Sequence, residues 1–167
     1  ALAAVNSISL YDAAKLLRLR GESMQAAVPV GAGAMAALLG ADMGAVTKLV
    51  NEASKIGICE IANDNAPGQI VISGEAKAVN GAINMSSDFG VRKAMSLPVS
   101  APFHCSMMKP AAEVMAAALE TTVINSPDIP LVANVSALVG SGDPSDIRKS
   151  LVEQVTSLVR WRETVLW

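Results

Sequence analysis

Aromatic side chains are scarce in this chain of 167 residues: two Phe, two Trp and one Tyr, 3% of the total. Histidine occurs once and cysteine twice. Two cysteines cannot build a disulfide framework, which points to a reducing compartment. The net charge is only -2 and no run of Lys or Arg occurs. The chain therefore lacks both the stacking rings and the cationic stripe of a nucleic-acid surface. Long apolar runs are missing too. The longest uncharged stretch, Ser23 to Ala41, is broken by Pro29, Gly31, Gly33 and Gly40, so it is not the ~20 apolar residues of a membrane span. No basic segment followed by an apolar one opens the chain, and no secretory signal is read. No His, Cys, Asp and Glu spacing suggests a metal site. Ala, Val and Leu are plentiful, and 51% of residues are hydrophobic, enough for a sizeable core in a domain of about this length. There is no initiator Met. The chain opens in the apolar run Ala1–Val5 and closes in an amphipathic stretch at Trp167, and it reads as a piece of a longer protein.

The spacing of apolar residues predicts an α/β fold. Ser9 with Asp12 makes a capping-box-like start for a helix to about Ala27, stopped by Pro29. Leu10, Ala13, Leu17, Arg20 and Met24 share one face of it. From Gly33 to Leu97 the rhythm is strand Met35–Leu39, helix Asp42–Lys55, strands Ile58–Ala62 and Gln69–Ser73 around a turn at Asn63–Gly68, helix Glu75–Phe89 and strand Val91–Leu97. This β-α-β-β-α-β order is the ferredoxin-like pattern. Beyond it come a proline-punctuated loop, a helix Met108–Thr121, an apolar strand Ile129–Val135 expected to be buried, a helix from Asp143-Pro144 to about Leu158, and a helical end from Arg160. The expected organisation is residues 1–30 as part of an α/β body, 31–97 as an inserted ferredoxin-like subdomain and 98–167 as the rest of the body.

Two residues stand out chemically. His104 follows Pro98 and Pro102 and precedes a helix. An imidazole held near a helix N-terminus is kept neutral and suits a general base; a hydrogen-bonded structural histidine is the plainer reading. Arg20 occupies an apolar helix face, where a guanidinium must be paired, snorkel outward or face a cavity. Cys105 points away from its neighbour His104 in an extended loop and is a poor nucleophile, and Cys59 sits in an apolar strand and reads as core. Gly31-x-Gly33 and Gly140-x-Gly142 match no phosphate loop, and no Gly-x-Ser-x-Gly elbow is present.

Longer motifs carry a resemblance. Leu19-Arg20-Gly21-Glu22-x-Met24-Gln25-x-Ala27-Val28-Pro29, Met35-Ala36-Ala37-Leu38-Leu39-Gly40, Asn63-x-Asn65-x-Pro67-Gly68-Gln69-Ile70-Val71-Ile72-Ser73-Gly74 and Leu97-Pro98-Val99-Ser100-Ala101-Pro102-Phe103-His104 occur in order. With Met108-Lys109-Pro110-Ala111-Ala112 and Gln154–Trp161, the chain resembles the malonyl-CoA:acyl-carrier-protein transacylase family throughout its length. The resemblance implies an α/β-hydrolase-like body with the ferredoxin-like subdomain inserted. It implies ping-pong transfer of a malonyl group from malonyl-CoA, through an acyl-serine, to the phosphopantetheine thiol of acyl carrier protein in fatty acid synthesis. It implies His104 as general base, Arg20 as the grip on the malonyl carboxylate, and Gln154 as supplier of the backbone carbonyl that orients the histidine. Phe103 matches the place where, in related polyketide synthase acyltransferase domains, Phe accompanies malonyl and smaller residues accompany branched units. Asn65 and Gln69 lie in the turn approaching the site. No cofactor or metal is implied beyond the coenzyme A thioester substrate, and a monomer in the bacterial cytoplasm, or an organelle, is expected. The family's Gly-His-Ser-Leu-Gly elbow is expected just before Ala1, with its oxyanion strand earlier and a Gly-Pro-Gly segment after Trp167. The alternatives are a serine thioesterase or hydrolase on the same fold, in which Arg20 is superfluous, and a non-enzymatic ferredoxin-like binding module.

Overall fold

A computed structural model describes residues 1–167. The first helix, α1 (Leu10–Ala26), starts as its capping residues require: the Asp12 amide donates to Ser9 Oγ at 2.9 Å. Of the five residues on the expected face only one is buried. Met24 is in the core, while Leu10 and Leu17 are 78% and 67% exposed. Leu16 and Leu19, one position aside, make the packing contacts instead.

The chain then builds a four-stranded antiparallel sheet from β1 (Gly33–Leu39), β2 (Cys59–Ala66), β3 (Gln69–Glu75) and β4 (Lys93–Ser96), in the order β2-β3-β1-β4. Helices α2 (Met43–Ala53) and α3 (Ala76–Met85) connect the strands. This is the ferredoxin-like arrangement, in which each helix crosses the same face of the sheet. Period-two alternation in β1 sends Ala36 and Leu38 towards the helices, where they pack with Val46, Leu49, Val79 and Ile72. Met35 points the other way and meets Ala62 and Val71, with Leu97 and Phe103 beside them. One face of the sheet is thus sealed by helices and the other looks towards the loop that carries His104.

The six-residue turn expected at Asn63–Gly68 is shorter. β2 continues to Ala66 through two register irregularities, between Ile61 and Asn63 and between Asp64 and Ala66. Pairing takes up the Asn and Asp residues because bulges absorb the mismatch, leaving Pro67 and Gly68 to make the turn. Gly74 in β3 lies against the Ile58 carbonyl so closely that a Cβ there would stand 2.0 Å from the oxygen.

A second core is helical. α1, α4 (Lys109–Glu120) and α5 (Pro144–Thr156) enclose Met24, Met108, Ala111, Met115, Leu119 and Val155. Pro110 sits in the first turn of α4, where its missing N–H leaves no helical bond unmade. The apolar strand expected at Ile129–Val135 is not a buried one. Only β5 (Val132–Ala133) is strand, paired with β6 (Leu138–Val139) in a two-stranded ribbon, and Ile129 is 61% exposed. A buried strand needs partners on both edges and both faces, and among these residues β6 alone pairs with it. A last helix, α6 (Trp161–Leu166), lies against β2 although none of its residues is buried. No helix is long and apolar enough to cross a membrane.

Gly74→Ala tests the tightness of the β2–β3 edge. The added methyl forces the Ile58 carbonyl to move, and unfolding in urea should show a loss of about 3 kcal/mol; an unchanged midpoint would mean the strands have room to separate.

Candidate active site

The single histidine occupies a turn that is pinned on both sides. His104 has φ +57°, a left-handed backbone conformation uncommon for a residue with a side chain. Behind it, Cys105 is fully buried and its thiol donates to the Pro102 carbonyl at 3.1 Å. Ahead of it, the Ser106 amide donates to Glu60 Oε2 of β2 at 3.1 Å, and the Ser106 hydroxyl bonds the same carboxylate. Pro102 packs over Gly33 at the start of β1, where a Cβ would stand 2.4 Å from the proline ring. The strained residue is therefore held by contacts to β1 and β2 as well as by a bond within its own loop.

The imidazole lies 3.1 Å by Nδ1 from the carbonyl oxygen of Gln154, fifty residues along the chain. A carbonyl can only accept, so the proton of the neutral ring belongs on Nδ1 and Nε2 keeps a free lone pair. The Gln154 side chain donates to the Ser157 carbonyl at 3.2 Å and tightens the end of α5. Burial holds the imidazole below its ordinary value of 6.5; the Gln154 carbonyl works against that shift and the charge of Arg20 adds to it. Burial, not the helix dipole expected from position, is the main cause. It also pushes the Cys59 thiol up to about 11 and raises Cys105. Both are free and buried, and both stay protonated at neutral pH, as a core role requires.

Arg20 is half-buried on α1 and belongs to none of the ion pairs of the structure, whereas its exposed neighbour Arg18 pairs with Glu22 at 2.8 Å. Burial lowers the Arg20 pKa. The guanidinium opens on a groove of about 630 Å³ whose wall is mostly apolar and includes Leu10, Leu17, Leu131 and Gln154. A desolvated cation without a carboxylate, beside an apolar cavity, has room and charge for an anionic partner. Gln154 is the link between Arg20 and the histidine: it lines the groove with Arg20, and its carbonyl lies 3.1 Å from His104 Nδ1. Phe103 bridges the open face of the sheet and the helical core.

The other two residues lie further off. Gln69 pairs with Leu39, at the opposite end of β1 from Gly33, roughly 20 Å along the strand from Pro102. Asn65 is half-buried and makes no side-chain hydrogen bond to His104, Arg20 or Gln154. Sequence reasoning missed Glu60 and the pair Asp64–Arg162. Asp64 is 2% exposed, and Arg162 Nη2 approaches its carboxylate to 2.7 Å. A signal was present: Asp64 stands two places after the buried Ala62, so it shares an inward face and demands a partner. No group of three or more His, Cys, Asp or Glu could hold a metal ion.

No protein-family model matches the chain. It is 43% identical over 166 residues to the malonyl CoA-acyl carrier protein transacylase of Bacillus subtilis, covering 99% of this chain and 52% of that protein. The transacylase of the same description from Haemophilus influenzae is 42% identical over 165 residues, covering 99% and 53%. Among solved structures, the acyl-carrier-protein S-malonyltransferase of Bartonella henselae superposes with a TM-score of 0.96 at 53% identity, over 100% of this chain and 53% of that one. A malonyl-transacylase solved in complex with its polyketide holo acyl-carrier protein superposes at 0.96 with 39% identity, over 99% and 53%. The chain spans about half the length of the relatives it matches.

Titration of the His104 ring by NMR, in the protein that carries these residues, should give a midpoint below 6.5. A folded pKa lowered in this way means that stability is lost as pH falls through 6.5, because unfolding frees the ring to take up a proton. A midpoint above 6.5 would contradict the burial described here.

Proposed function

We propose, from the premise that the chain is homologous along its length to one half of the malonyl CoA-acyl carrier protein transacylases, that the protein moves a malonyl group from malonyl-CoA to the phosphopantetheine thiol of acyl carrier protein. The observation that carries the reading is Gln154, which lines one groove with a half-buried guanidinium that has no carboxylate partner and whose carbonyl lies 3.1 Å from His104 Nδ1. In this reading His104 Nε2 takes the proton of a serine hydroxyl supplied by the rest of the protein. The Gln154 carbonyl keeps the Nδ1 proton in place and steadies the imidazolium that forms. The serine oxygen attacks the thioester carbon, coenzyme A leaves as its thiol, and malonyl is held as an ester. The imidazole then takes the proton of the incoming carrier thiol, which attacks the ester and releases the serine.

Arg20 grips the free carboxylate of malonyl with two parallel hydrogen bonds, a geometry the guanidinium fork provides and an ammonium does not. Phe103 narrows the space beside the α-carbon and disfavours a methyl branch. Asn65 has a minor part at the approach to the site, and Gln69, at the far end of β1, has none. The reaction takes a coenzyme A thioester as substrate and needs no further cofactor. Residues 31–97 form a ferredoxin-like subdomain inserted in a body formed by 1–30 and 98–167 together with the remainder of the protein, working as a monomer in the cytoplasm.

In the full-length protein Arg20→Ala should lower kcat/KM for malonyl-CoA by about 10²-fold or more, since a desolvated charge partner is lost, while acetyl transfer rises. Malonyl preference surviving the change would refute the assigned grip. Incubating the full-length protein with malonyl-CoA and holo acyl carrier protein should yield malonyl carrier protein. A yield of mostly free malonate would favour a hydrolase.

A further inference from the structure

The segment that holds His104 from above, Gln154 to Val159, is itself fixed to the sheet, and both fixings are on β2. Val159 N–H donates to the Ala62 carbonyl at 2.8 Å, and Asp64 N–H donates to the Val159 carbonyl at 2.9 Å. Asn63 and Val159 thereby form a parallel bridge outside the main sheet. Three residues on, the Arg162 Nε donates to the two oxygens of Asp64 at 3.0 and 2.9 Å, and Nη2 lies at 2.7 Å. Asp64 is 2% exposed and Arg162 32%. The remaining ion pairs of the molecule have both partners more exposed than Asp64 by a wide margin. Further along β2, Glu60 holds Ser106. The segments on either side of the imidazole are thus tied to one strand.

Apolar packing does not explain why α6 stays there, because no residue of α6 is buried. The attachment is polar, and its strongest part is a guanidinium fork closed on a buried carboxylate, an arrangement that tolerates little rotation or slip. We infer that Asp64 and Arg162 are positioning residues for His104: their ion pair locks α6 and Val159 onto β2 and so keeps the Gln154 carbonyl in line with Nδ1. This rests on the reading of His104 as the general base. Neither residue lines the Arg20 groove, so the effect falls on the chemical step and not on substrate capture.

The test uses the full-length protein with malonyl-CoA and holo acyl carrier protein, comparing D64N and R162K with the parent. R162K keeps the charge and loses the fork; D64N keeps the shape and loses the charge. In each, kcat falls about tenfold through misplacement of the base and KM for malonyl-CoA is unchanged. The acid limb of kcat/KM moves to lower pH, because the ring loses part of the carbonyl contact that favours its charged form. The His104 midpoint read by NMR without substrate moves the same way. A lower melting temperature with kcat and the NMR midpoint both unchanged would overturn the inference and leave the pair as a brace only. If D64N does not fold, R162K decides by the same two readings. A parent protein that transfers no malonyl group would defeat the functional reading instead, while the NMR shift would still report on the lock.

Discussion

The bond from His104 Nδ1 to the Gln154 carbonyl is the constraint around which the other elements are arranged. It joins the loop before α4 to the last turn of α5, and neither end is free to move. The loop is anchored through Pro102 to β1 and through Ser106 to β2. The far end is anchored through Val159 and Arg162 to β2. The sheet that carries these anchors draws its own rigidity from the core between its other face and helices α2 and α3. A hydrogen bond of ordinary length is therefore backed by a packed subdomain of which it is not a part, and this is how a side chain is held in one place without being buried outright.

The electrostatics follow from the same arrangement. Burial is what chiefly keeps the imidazole neutral, and the fixed positive charge of Arg20 adds to it. An anion seated on Arg20 would cancel the repulsion and make the ring a stronger base at the moment it is needed.

Much of this was legible from residue spacing. The order of strands and helices from Gly33 to Leu97 follows from alternation, turn residues and caps, each of which is local. Arg20 on an apolar face was a visible anomaly, and in the structure it stands half-buried without a carboxylate partner. What spacing could not convey was non-local. Leu10 and Leu17 have helical periodicity, but whether a face meets a core or a groove depends on elements far along the chain. The run Ile129–Val135 has the composition of a buried strand, and composition does not say whether neighbouring strands are at hand. Gln154 owes its part to a backbone carbonyl, which no side-chain pattern reveals; the family resemblance alone pointed to it. The Asp64–Arg162 pair spans almost a hundred residues, so nothing local to Asp64 names its partner.

The left-handed backbone at His104 sets two demands on one position. Folding alone would favour glycine or asparagine there, since either adopts that conformation with less strain. Only an imidazole there offers a second ring nitrogen once Nδ1 is engaged by the Gln154 carbonyl. The loop is thus tuned against its own conformational preference, and the surplus firmness of the anchors on either side is what makes an ill-suited residue stay put.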